Sequence, residues 1–85
     1  MRPYKVLITH EALSLSRPSV QDRQKILSFL ESLCGNPFQK GDYEERDEVD
    51  RPVQIKIVGK YALTFWADHP VSEVKVVRIE KADRG

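Results

Sequence analysis

Apolar and polar positions follow two different periods along this chain, and the change of period marks the elements. Tyr4-Lys5-Val6-Leu7-Ile8 is a short apolar-rich run and predicts a strand. His10 to Leu15 suits a short helix, with Thr9 as its N-cap and Pro18 closing the segment. Ser19 then caps a second helix, with Asp22 three residues on, near the positive end of the helix dipole. Val20, Ile26, Leu27, Leu30, Leu33 and Cys34 fall on one helical stripe. Gly35-Asn36-Pro37 ends that helix, because proline cannot continue it.

Beyond Phe38 the period shortens to two. Tyr43 to Val49 reads as an edge strand whose charges discourage edge-to-edge pairing. Strands are predicted at about Val53–Ile57, Tyr61–Ala67 and Glu73–Ile79. Gly59-Lys60 and Asp68-His69-Pro70 mark the connections. The first hairpin admits two registers. A two-residue loop pairs Val58 with Tyr61 and places Lys56, Leu63 and Phe65 on one face. A three-residue loop pairs Ile57 with Tyr61 and collects Val53, Ile55, Ile57, Tyr61, Leu63 and Phe65 on one face. Burial favours the second, which leaves Gln54, Lys56, Ala62, Thr64 and Trp66 on a polar face. Val74, Val76, Val77 and Ile79 resist this parity, so the last strand is expected to be central or bulged. The order predicts an α+β fold: a small, mostly antiparallel sheet with two N-terminal helices packed on one face and the other face open.

Length changes the picture little: 85 residues make a single domain, 1–85, whose limited core is often helped by a partner. No apolar run approaches the roughly 20 residues needed to span a bilayer, so no membrane association is expected. Met1-Arg2-Pro3 leads into the first strand without a leader pattern, and a cytoplasmic location is expected. The lone Cys34 fits a reducing compartment and permits no internal disulfide.

Charge matters more. The net charge is +1, but residues 42–50 carry six acids against Arg46, a local −5, which leaves +6 elsewhere. A basic remainder would suit nucleic acid. An ordinary solvated surface beside an acidic loop is the plainer reading.

The order and the motifs together resemble the RelE/ParE toxin superfamily, that is, the toxins of type II toxin–antitoxin pairs, with a β-α-α-β-β-β order. Tyr4-Lys5-Val6 with Glu11-Ala12 is similar to the family's first strand and helix. Ile26 to Leu33 followed by Asn36-Pro37 is similar to its second helix and Leu-x-x-Asn-Pro ending. Ile55 to Tyr61 resembles its basic strand, Gly-containing turn and Tyr, and Val74 to Ile79 its last core strand. The resemblance implies a toxin neutralised by a small antitoxin. Its target would be the ribosome and its mRNA, or DNA gyrase. Neither a cofactor nor a metal is implied, and a homodimer stays open.

In RelE-like nucleases, Lys and Arg on the open sheet face activate the ribose hydroxyl and stabilise the phosphorane. Here Lys56 stands at a matching strand position, Gln54 replaces a second basic residue, and Ala62 follows Tyr61 where the family commonly has Arg. After Ile79 the chain reads Glu80-Lys81-Ala82-Asp83-Arg84-Gly85, with no counterpart of a terminal Tyr. The leading expectation is therefore a toxin acting by binding. The alternatives are a ribosome-dependent mRNA endoribonuclease with a non-standard catalytic set and a degenerate, non-toxic member. The candidate catalytic set is Lys56, Arg51, Lys60, Arg78 and Arg84. Trp66, Gln54 and Thr64 are the candidate partner-binding residues, since tryptophan is enriched at interfaces and stacks on bases equally well. His69 is read first as a turn residue and second as a general acid or base. His10, His69 and Cys34 have no metal-ligand spacing.

Overall fold

The computed structural model describes residues 3–15 and 17–82, and of 13–15 the backbone alone. The chain runs β1 (Lys5–Ile8), α1 (His10–Leu15), α2 (Val20–Gly35), β2 (Tyr43–Arg46), β3 (Pro52–Val58), β4 (Tyr61–Asp68), a 3-10 turn (His69–Val71) and β5 (Glu73–Lys81). The five strands form one sheet in the order β1-β5-β4-β3-β2. Only the β1–β5 pair is parallel. This is the expected α+β arrangement.

Local chemistry accounts for the helix ends. The Thr9 hydroxyl accepts from the Ala12 amide at 3.2 Å, and the Ser19 hydroxyl accepts from the Asp22 amide at 3.2 Å. Each satisfies one donor that a helix start leaves orphaned. At the far end of α2, the Asn36 amide donates to Ser32 O at 3.0 Å, and Pro37 follows.

The core lies between α2 and the sheet. Ile26, Leu30 and Leu33 of α2 are buried against Leu63, Phe65, Val74 and Val76, with Phe29 edge-on to Phe65 at 5.5 Å. Fully burying a side chain of the Leu63 or Phe65 kind contributes roughly 1.5–3 kcal/mol, so this one layer dominates the favourable side of folding. The expected stripe is only partly buried: Val20 and Leu27 are exposed at 71% and 50%.

The β3–β4 hairpin corrects the preferred register. Val58 pairs with Tyr61, Lys56 with Leu63 and Gln54 with Phe65, around a two-residue loop. Gly59 has φ +61, while Lys60 does not take positive φ. Positive φ at the first central residue is the signature of a type II′ hairpin loop, which matches strand twist and takes Gly at that position. Turn chemistry therefore outweighs the grouping of isoleucines. Lys56 and Gln54 lie on the helix side of the sheet, at its outer end. Val53, Ile55 and Ile57 face the other way, and none of the three belongs to the main core. On β3 the open face is thus apolar where a polar one was expected.

The last strand is both central and bulged. It lies between β1 and β4, and its register slips between Thr64 and Phe65, leaving Val77 unpaired with β4. The slip explains why its valines defeat simple alternation. The acidic edge strand is shorter than expected and stops at Arg46. Asp47 Oδ1 accepts from the amides of Val49 and Arg51, at 3.0 and 2.9 Å, turning the chain back into β3.

Gly59 also receives the side chain of Asp22, whose carboxylate occupies the space a Cβ would need. Asp22 is buried at the first turn of α2, so this contact fixes the helix start against the hairpin. Gly59→Ala should destabilise the fold by about 1–3 kcal/mol, from the positive φ and the clash together. Urea denaturation measures this, and a change below about 0.5 kcal/mol, the range of ordinary surface substitutions, would remove the turn from the account.

Candidate functional site

The face of the sheet opposite α2 is the larger feature. Strand register assigns it Leu7 from β1, Ala62, Thr64 and Trp66 from β4, Val53, Ile55 and Ile57 from β3, and Tyr43 from β2. Leu7 and Tyr43 are 43% and 49% exposed, whereas Val53 is buried. Charged positions on this face and on the bordering 47–51 loop are Lys5, Arg51, Lys75 and Arg78 against Glu45, Asp47, Glu48, Asp50, Asp68, Glu73 and Glu80. Seven carboxylates against four cations make this face and its border acidic, although the chain as a whole is +1.

Trp66 anchors the centre of a paired network. The Arg51 guanidinium lies over its ring at 3.9 Å and the Lys75 ammonium at 5.1 Å. Both are attracted by the negative face of the indole. Each cation is also bound to a carboxylate. Arg51 Nη2 and Nε donate to Asp47 Oδ2 at 2.7 and 2.8 Å, and Lys75 Nζ donates to Asp68 Oδ2 at 2.8 Å. The Arg51 backbone amide does most to hold the Asp47 carboxyl below its usual value; desolvation opposes it, and the Arg51 side chain and the Val49 amide each lower it further.

Of the candidate catalytic residues, Arg51 and Arg78 line one shallow pocket with Glu11, Asp47 and Glu48, while Lys56 and Lys60 lie elsewhere. Lys56 is opposite Leu63 on the helix side and pairs with Asp42 Oδ1 at 3.6 Å. Gly41 makes that pairing possible, because it runs so close to Ile55 that a Cβ would strike the β3 backbone. Arg78 is opposite Thr64 on the open face and lies 3.7 Å from Glu80. Arg51 is with Trp66, and Lys60 is exposed in the hairpin loop. Arg84 lies outside the described residues. Of the candidate partner-binding set, Trp66 and Thr64 share the open face. Gln54 is on the other side and is structural: its Oε1 accepts from the Gly41 amide at 2.9 Å and its Nε2 donates to Glu44 at 2.8 Å.

A second cluster lies at the end of the sheet beyond α2. Tyr4 Oη is 2.8 Å from His69 Nδ1, and Phe38 stacks on the His69 ring at 4.8 Å. They border an open groove of about 450 Å³ floored by Phe65 and Ala67 and flanked by Lys40, Glu44 and Arg51. Sequence reasoning named His69 but missed Tyr4 and Phe38, which come from distant segments with no shared spacing. It also missed Lys75 and Asp47. Asp47 and Arg51, four residues apart around a turn, carried the one available signal.

The backbone arrangement matches solved structures over nearly its whole length. A chain of the archaeal RelE–RelB complex from Pyrococcus horikoshii OT3 superposes with TM-score 0.78 at 15% identity, covering 98% of this chain and 99% of that one. A chain of the toxin–antitoxin complex RelBE2 from Mycobacterium tuberculosis gives 0.75 at 22% identity, covering 93% and 98%. The fold is RelE-like. Neither a family model nor a curated protein matches the sequence. Among the described residues of this RelE-like fold, no helix is long and apolar enough to cross a membrane.

Titration of Asp47 checks the network. Its folded value is depressed, so its contribution to stability is present above the ordinary aspartate value near about 4 and is lost as pH falls through the folded value. Carboxyl NMR should give Asp47 a midpoint below that ordinary value, and Arg51→Ala should move it upward. An ordinary midpoint in the wild-type chain contradicts the ion pair.

Proposed function

We propose that the chain is the toxin-type member of a toxin–antitoxin pair, held by a small antitoxin, and that it acts in the cytoplasm by binding its target. The target is a macromolecule such as the ribosome or DNA gyrase. Two observations support the pairing. The fold is shared over nearly its whole length with chains solved in a RelE–RelB complex and a RelBE2 toxin–antitoxin complex, and the open face carries an apolar β3 strip of the kind that protein contacts cover.

One observation carries the choice of binding over cleavage. The candidate cations are divided between the two sides of the sheet, and three of them, Arg51, Lys56 and Arg78, pair with carboxylates. Transesterification of RNA needs an acid–base pair and cationic charge converging on one phosphate. Lys56 and Arg78 stand on opposite faces, and an acidic open face repels the substrate backbone.

Induced expression in a bacterial host tests this. Growth arrest without codon-phased mRNA cleavage in primer extension is the expected result. Lys56→Ala should leave the arrest intact, whereas loss of a general base from a nuclease costs about 10²–10⁴-fold in rate. Phased cleavage that disappears in Lys56→Ala overturns the binding reading, and absence of arrest overturns the toxin reading.

A further inference from the structure

We infer that the open face of the sheet is a docking surface for an amphipathic helix with one apolar stripe and basic flanks. The inference rests on the antitoxin reading for the biological role of that helix. The surface itself follows from the chain. β3 alternates: Gln54, Lys56 and Val58 stand on the helix side, while Val53, Ile55 and Ile57 all face away from the main core. An apolar sheet face is normally buried against a second layer, and among the described residues the main core occupies only one face. Ile55, Ile57 and Tyr43 are therefore the surface a covering helix would bury.

The charge selects the occupant. The face carries more carboxylates than cations, and its cations Arg51 and Lys75 are already bound to Asp47 and Asp68. Exposed Glu45 and Glu48 border the apolar residues on the β2 side, with Val49 71% exposed in the same loop. Basic residues flanking an apolar stripe meet this pattern. Nucleic acid does not, because its phosphates would face the carboxylates. A second copy docked face to face about a two-fold axis would bring the same acidic border against itself.

Titration of the isotope-labelled chain with two synthetic peptides decides the matter. Both are about 18 residues long, long enough to form a helix, and carry leucines at helical spacing. One has lysines on its flanks and the other glutamates. The lysine peptide should bind about tenfold or more tightly than the glutamate peptide, weaken with added salt, and shift the amides of Tyr43, Ile55 and Ile57. Ile57→Glu should abolish binding while the dispersion of the amide spectrum reports an intact fold. Glu45→Lys, at an exposed position that cannot disturb the core, should weaken the lysine peptide independently. Equal affinity for the two peptides, shifts confined to α2, or a face-to-face dimer of the chain alone each overturn the inference. Loss of peptide binding with growth arrest retained removes the surface alone. Loss of arrest with peptide binding retained removes the toxin reading alone.

Discussion

The positive φ of Gly59 sets which side of the sheet each residue of β3 occupies. With only Gly59 and Lys60 between the strands, Val58 must pair with Tyr61, and every pairing upstream is then determined. A one-residue change in that loop would exchange the two faces of the strand. The same glycine accepts the Asp22 carboxylate, so the hairpin and the start of α2 are fixed to each other. Turn geometry, helix placement and the composition of the open face are thus consequences of one local constraint.

That constraint also governs the chemistry. It turns Lys56 toward Asp42 on the helix side and leaves Arg78, Arg51 and Lys75 on the other. The open face becomes apolar and mildly acidic around a tryptophan whose cations are internally paired. A shared fold does not carry a shared site. Here the backbone follows the RelE arrangement closely, while the side chains on the open face set apolar β3 residues beside paired charges.

Much of the fold was legible in the sequence because its signals are local. Thr9 and Ser19 announced the helix starts, Asn36-Pro37 the helix end, and Gly59-Lys60 and Asp68-His69-Pro70 the connections. The register was not legible from burial, because grouping the isoleucines with Tyr61 assumed that only one sheet face is apolar. The II′ preference of a Gly-X loop held the correct answer. The site was legible only in part. Trp66 and Thr64 reached the open face as expected, since β4 keeps its parity in either register. Lys56 and Gln54 did not, since their side depends on loop length. Lys75 and Asp68 meet Trp66 through the β4–β5 pairing, and Tyr4, Phe38 and His69 meet only through the tertiary fold.

The hairpin register is the claim on which the rest depends, and cross-strand nuclear Overhauser contacts measure it directly. The account predicts contacts between Val58 and Tyr61 and between Lys56 and Leu63. Contacts pairing Ile57 with Tyr61 and Ile55 with Leu63 would return Lys56 to the open face and contradict it.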